Sequence, residues 1–237
     1  MTTFSDTSRI GYAPGEIVTS EPTAERLSTE FCVARARISV VMPGIDDAPR
    51  SPGSGGPSCQ ILSIGALVPR KGHDMLLRAL ARLFDLDWYL TIVGTPSRDP
   101  VHAGGLVALA TDLGIARRVR FAGEVDDDAL AALWRDTDLF ALASHWEGYG
   151  MAIAEALKRG VPVAVSAVGI APTLVTAKNG IVVQPGDRDT LSKALRRVIF
   201  SADLRRDMAE AAWRTGRKLP SWDEQSRTFA AALLSKD

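Results

Sequence analysis

Short apolar runs alternate with amphipathic stretches along most of this chain. Residues 60–64, 88–93, 119–122, 139–142, 161–165 and 180–183 are brief runs rich in Ile, Val and Leu. Runs of that length and composition predict buried strands. Between them, residues 73–84 carry Met75, Leu76, Leu77, Ala79, Leu80 and Leu83 on helical spacing. Residues 106–113, 129–135, 151–158, 190–200, 202–217 and 222–236 predict further helices, with Gly114 and Gly160 as stop signals. Upstream, residues 17–20 and 38–42 predict two short strands around a helix over 22–33, started by Ser20 or Glu21 with Pro22 in its first turn. Strict alternation of apolar strands with helices argues the α/β class: a Rossmann-like parallel sheet with helices on both faces. In such sheets ligands bind outside the carboxyl ends of the strands. That rule selects the loops after Ile64, Val93, Ala122, Leu142, Val165 and Val183.

Two stretches fall outside the alternation. Residues 1–16 have no period, and residues 48–58, APRSPGSGGPS, have no apolar anchor and predict a linker or mobile loop. The expected division is therefore 1–57 as appendage plus flexible linker, 58–200 as the Rossmann-like domain, and 201–237 as C-terminal helices that pack on it or toward a partner.

Composition narrows this picture without changing it. At 237 residues the chain suits one large domain, or one domain with appendages. Lys plus Arg equals Asp plus Glu at 28 each, which removes any general pull toward nucleic acid or an anionic membrane. Cys32 and Cys59 fit no metal or redox spacing and read as reduced thiols. Three histidines without ligand spacing predict no metal site. No apolar run reaches transmembrane length, and the opening MTTFSDTSRIGYAPG lacks the basic and apolar regions of a signal peptide. The expectation is a cytoplasmic protein.

Chemistry gathers in residues 139–165, a strand, glycine loop, helix, strand unit. Gly148 and Gly150 bracket Tyr149 ahead of a helix that starts at Met151. A helix N-terminus offers free N–H groups and a positive dipole end, and small residues let a phosphate or hydroxyl approach them. Glu147 lies in the loop and Glu155 inside the helix, where vicinal hydroxyls would give one carboxylate two donors. The loop after residue 64 places Arg70 and Lys71 directly before a helix, where a diphosphate would gain charge-assisted bonds. Taken alone, either pair reads as ordinary solvated surface charge.

The pattern as a whole is more specific. Glu147, Gly148, Gly150, Glu155, Ala156, Gly160, Pro162 and Val163 closely resemble the E-x7-E segment of the retaining GT-B type glycosyltransferases, family 4. The resemblance runs from Ile61 to the C-terminus and more weakly over 17–46. It implies that Glu155 binds the ribose hydroxyls of a nucleotide sugar and that Glu147 lies by the donor sugar. It makes Lys71 the holder of the diphosphate, with Glu147 and Lys71 as the catalytic pair. Gly148, Tyr149, Gly150 and Met151 would present backbone near sugar and phosphate, and Gly94 matches a V-G turn. Residues 119–123 match a V-x-F-x-G segment that runs past the nucleobase. Ala66 stands where many members carry an arginine, so Arg70 becomes the substitute, and Thr173 stands where a glutamate is usual. His73 matches the K-G-h-d helix start as a cap, and His145 reads as a loop residue. Asn179, Gly180 and Asp187 read as turn and cap chemistry.

What the resemblance implies is hexosyl transfer, with retention, from a UDP- or GDP-sugar, without a cofactor or metal. The acceptor would be a sugar, lipid or polysaccharide precursor, and the place of action the cytoplasm or the inner membrane face. Members have two Rossmann-like domains with the active site between them. This chain resembles the second, and 1–57 reads as a remnant of the first plus linker. An acceptor-domain protein or a homo-oligomer is the expected partner, with no nucleic acid. The alternative is a non-catalytic nucleotide-sugar-binding module or degenerate half-enzyme. A dehydrogenase-type Rossmann enzyme is disfavoured, because GALVPRKG stands where G-x-G-x-x-G would be.

Overall fold

The computed structural model describes residues 15–234. In chain order its elements are β1 (Glu16–Val18), α1 (Glu21–Glu30), β2 (Ile38–Val40), β3 (Cys59–Ile64), α2 (His73–Ala81), β4 (Trp88–Val93), α3 (Pro100–Asp112), β5 (Val119–Gly123), α4 (Asp127–Arg135), β6 (Leu139–Leu142), α5 (Met151–Lys158), β7 (Val163–Ser166), α6 (Ala171–Leu174), β8 (Gly180–Val183), α7 (Arg188–Phe200), α8 (Ala202–Gly216) and α9 (Trp222–Leu234). They fall into two compact units, one of residues 47–219 and one that joins the residues up to 46 with those from 220 onward.

The larger unit is built on six parallel strands in the order β5-β4-β3-β6-β7-β8. Both faces are covered, so side chains alternate between two cores. Cys59 and Ile61 of β3 join Leu76, Leu77 and Leu80 of α2, Leu106 of α3, and Leu195 and Val198 of α7. Leu62 of the same strand joins Trp134 of α4, Ile153 and Leu157 of α5, and Ala212 of α8. This is the α/β arrangement expected from the alternation. The chain leaves β3 toward β4 and β5 on one side, then returns to place β6 against the other side of β3. The order reverses between β3 and β6, and in sheets of this kind the crevice for ligands lies at such a switch point, outside the carboxyl ends of the strands.

Some boundaries differ from expectation, each for a local reason. Helix α3 begins at Pro100 rather than residue 106, because Asp99 accepts from His102 N (3.0 Å) and Pro100 occupies the first turn. Its Gly104 and Gly105 face open space and do not break it. Helix α7 starts at Arg188, capped by the Asp187 carboxylate on Thr190 N (2.9 Å). Strand β7 starts after Pro162, and Val161 N instead closes α5 onto Ala156 O. The expected end of the last helix at residues 235–236 and most of the aperiodic 1–16 stretch lie outside the described residues.

Residues 48–58 are not a free linker. Asp138, just ahead of β6, accepts from Ser54 N (3.0 Å), Ser54 Oγ (2.7 Å) and Gln60 N (2.8 Å). Ser51 Oγ donates to Arg135 O, and Ser51 N to Arg159 O. Side-chain and backbone polar groups do what apolar anchors would otherwise do, and the strap belongs to the sheet unit. Helix α8 belongs there too. Gly216 approaches Leu157 O so closely that a Cβ would lie 2.1 Å from it, which brings α8 onto α5. The unit boundaries at 46/47 and 219/220 thus replace the expected ones at 57/58 and 200/201.

The smaller unit holds the parallel pair β1–β2 and helix α1 around Val18, Ala24, Val33 and Ile38. Ser20 caps α1 through Thr23 N. In the same unit Gly44 lies against the backbone of Trp222 at the start of α9, and Ile45 N donates to Pro220 O.

Asp138→Ala removes a charged acceptor from three hydrogen bonds at once. It should lower unfolding free energy by roughly 2–3 kcal/mol in urea titration. Limited proteolysis should then cut between residues 50 and 58 far faster than in the parent.

Candidate functional site

The crevice at the switch point brings the loops after β3 and β6 together, and both are held by backbone. The loop after β3 closes in a single 3-10 turn, Pro69–Lys71, followed by Gly72 at φ 62°. A Cβ at Gly72 would lie 2.0 Å from Ala143 O, directly after β6, so only glycine allows this approach. His145 N donates to Arg70 O (2.8 Å), and Arg70 Nη1 donates to Trp146 O (3.3 Å). The Arg70 guanidinium also stands 6.0 Å from the centre of the Trp146 ring. Two stretches far apart in sequence are thus stitched side by side.

Glu147 lies at the centre. It is buried, with 8% of its surface exposed. Its Oε1 accepts from Lys71 Nζ at 2.6 Å and from Ser144 Oγ at 2.7 Å, and its Oε2 lies 3.7 Å from Arg70 Nη1. A buried carboxylate is tolerable only with such company. These distances bring Arg70, Lys71 and Glu147 to one locus. Gly148, Tyr149 and Gly150 carry the chain from Glu147 to Met151, the first residue of α5, with Gly150 at φ 108° as the N-cap residue. Tyr149 is buried, and burial pushes its phenol upward from the usual tyrosine range. Glu155 stands on the second turn of α5, half-buried. Gly94 sits behind the first loop, where a Cβ would lie 2.0 Å from Gly65 O.

Three contributors carried no role of their own in the sequence reading. Ser144 donates to Glu147, and its signal was a hydroxyl at a strand end three residues before an acid. Gly169 at φ 56° lets the loop after β7 close on Tyr149 O, where Ile170 N donates at 2.7 Å. Trp146 is 42% exposed beside the buried Glu147. His73 departs from its expected role as a cap. No side-chain cap bond forms at the start of α2; the ring is fully buried and its Nε2 lies 3.1 Å from Gly65 O. Burial pushes its pKa down to about 4. His145 is an exposed loop residue, as expected.

Among the described residues no three His, Cys, Asp or Glu side chains are arranged to hold a metal ion. Among them, too, no helix is long and apolar enough to cross a membrane. A cavity of about 590 Å³ lies at the other ends of β6 and β7, lined by Arg50, Gly53, Asp138, Pro162, Arg205 and Arg206. Its cations are engaged: Arg50 by Glu210, Arg206 by Asp203, Arg205 by Val198 O and Ile199 O. Around Glu147, by contrast, the charges of Arg70, Lys71 and Glu147 face one another at strand carboxyl ends.

The comparisons with known proteins agree on this unit. Residues 45–215 match the family model described as glycosyl transferases group 1. The chain belongs to this family. Relatives include the D-inositol 3-phosphate glycosyltransferase of Mycolicibacterium gilvum, 35% identical over 199 residues, covering 79% of this chain and 44% of the relative. The enzyme of the same name from Actinosynnema mirum is 31% identical over 234 residues, covering 91% of this chain and 56% of the relative. The chain therefore spans about half the length of these curated relatives. Among solved structures, a glycosyltransferase from Rickettsia africae superposes with a TM-score of 0.84 at 21% identity, over 99% of this chain and 67% of that one. The Anabaena protein HepE in complex with UDP and glucose superposes with a TM-score of 0.85 at 23% identity, over 98% and 68%. At these identities the structures speak for the fold, and the family rests on the sequence match.

Two outcomes test this local chemistry. Lys71→Ala leaves Glu147 buried without its nearest cation and should cost roughly 3 kcal/mol of stability in denaturant titration. Adding Glu147→Gln to it should restore much of that, because the unpaired charge is gone. His73 is held neutral, so its folded pKa lies below the unfolded value near 6.5. The unfolded chain then binds more protons, and the stability contribution is lost as pH falls from 6.5 toward 4. The difference of about 2.5 units corresponds to about 3 kcal/mol. Urea midpoints measured from pH 7 to 4 should fall more steeply for the parent than for His73→Gln.

Proposed function

We propose that residues 47–219 form the nucleotide-sugar-binding part of a retaining glycosyltransferase that transfers a hexosyl group from a UDP- or GDP-sugar. The observation that supports this most is the meeting of Lys71, Arg70 and Glu147 in the switch-point crevice of a group 1 family fold. Lys71 has three N–H donors and gives one to Glu147, which leaves two for diphosphate oxygens. Arg70 is half-exposed at the rim and adds a second cation. With the α5 N-terminus these groups neutralise the charge that grows on the departing diphosphate. Glu147 lies by the donor sugar, and its bond to Lys71 orients it beside the breaking bond. Glu155 binds the ribose hydroxyls, and the backbone of Gly148, Tyr149, Gly150 and Met151 lines sugar and phosphate. On this reading the division of labour uses neither cofactor nor metal. Residues up to 46 and from 220 onward belong, on this reading, to the connection with an acceptor-binding domain. The acceptor is a sugar, lipid or polysaccharide precursor, met in the cytoplasm or at the inner membrane face.

A second reading, a nucleotide-sugar-binding module without turnover, draws on Ala66 and Thr173, which stand where the family pattern has an arginine and a glutamate.

Calorimetric titration with UDP- and GDP-sugars tests the binding site common to both readings. Glu155→Ala should weaken nucleotide and nucleoside alike by roughly tenfold or more, the loss of one charged hydrogen-bonding group. Lys71→Ala should weaken diphosphate-containing ligands while leaving the nucleoside unchanged. Parent-like binding by both variants would remove the site assignment. Release of free hexose or transfer to an added acceptor by the parent chain separates enzyme from module.

A further inference from the structure

We propose that His73 is a positioning residue that seats Lys71 for diphosphate by holding the Gly65 peptide, an inference that rests on the donor-site reading above. His73 opens α2, two residues after Lys71, yet its ring turns back to the end of β3. The carbonyl of Gly65 can only accept, so Nε2 carries the proton and donates, at 3.1 Å. Nδ1 is then the bare nitrogen, and it is buried without a hydrogen-bond partner. A leucine would fill such a place without stranding a nitrogen. What the imidazole adds is the bond to Gly65.

That peptide is where three parts of the site converge. The Lys71 stem runs across Gly65 so tightly that a Cβ there would lie 3.0 Å from both Cδ and Cε of the lysine. Gly94 packs on the same carbonyl from β4, where its own Cβ would lie 2.0 Å from Gly65 O. Gly65 N donates to Val93 O at 2.8 Å, which ties the other side of the residue to the sheet. The carbonyl lies past the end of the β3–β4 pairing, and His73 supplies its donor from within the core. If that bond is lost the peptide can rotate, and the surface over which Lys71 reaches Glu147 moves with it.

His73→Leu removes the donor and keeps the bulk, whereas His73→Gln retains a side-chain N–H for Gly65 O. His73→Asn, too short to reach, replaces the leucine variant should that one not fold. Calorimetry with UDP, GDP and their nucleosides reads the seat. His73→Leu should lose roughly tenfold in affinity for the diphosphate, about the worth of one well-placed hydrogen bond, with nucleoside affinity unchanged. His73→Gln should stay near the parent. Equal losses for nucleoside and diphosphate would mean a merely structural role and overturn the proposal, as would parent-like binding by His73→Leu. If the parent binds no nucleotide, the donor-site reading fails, and crystal structures of the variants decide the positioning claim. A displaced Lys71 Nζ in His73→Leu with a parent-like one in His73→Gln supports it. An unchanged 2.6 Å contact to Glu147 in His73→Leu overturns it.

Discussion

A buried carboxylate needs a cation, and the crevice of this protein is arranged around that need. Glu147 is removed from water and held by Lys71, Ser144 and the more distant Arg70. The attraction inside a low-dielectric crevice is strong, but the charges had to lose their hydration to feel it. Such a pair contributes less to stability than to geometry. It fixes where the lysine's remaining hydrogens point and where the carboxylate stands. The chemistry proposed for the site requires both.

The pair forms only because two loops lie closer than side chains would permit. Gly72 gives room for Ala143 O and Gly94 for Gly65 O, while Gly169 brings the loop after β7 onto Tyr149. Each is a point of backbone contact at the carboxyl end of a strand. The sheet order makes them neighbours, because β3 and β6 pair although β4 and β5 intervene in the chain. At the other end of β6, Asp138 takes hydrogen bonds from the strap that leads into β3. One end of the central strand pair is tied by a carboxylate to backbone, and the other presents a carboxylate to cations.

The chain spans about half the length of its curated relatives, and the part it spans includes the whole of the six-stranded sheet unit. A unit of this kind keeps its crevice ordered by internal contacts, as the Lys71–Glu147 pair and the His73–Gly65 bond do here.

Much of the fold was legible in the sequence. Apolar runs of strand length and helical stripes report burial directly, and all six strands of the sheet unit were located from them. The E-x7-E pattern marked Glu147 and Glu155, and the cations before a helix marked Arg70 and Lys71. The packing of residues 48–58 was not legible, because polar hydrogen bonds to Asp138 leave no hydrophobic period. The start of α3 was hidden by Gly104 and Gly105, whose exposed positions tolerate a helix that composition argues against. Ser144, Gly169 and the inward turn of His73 were hidden for another reason. Local sequence sets which residues stand at strand ends and helix starts, through propensity and periodicity. Which of those ends meet is set by strand order and backbone approach, and these depend on tertiary contacts that span anything from eight positions, His73 with Gly65, to seventy-six, Lys71 with Glu147.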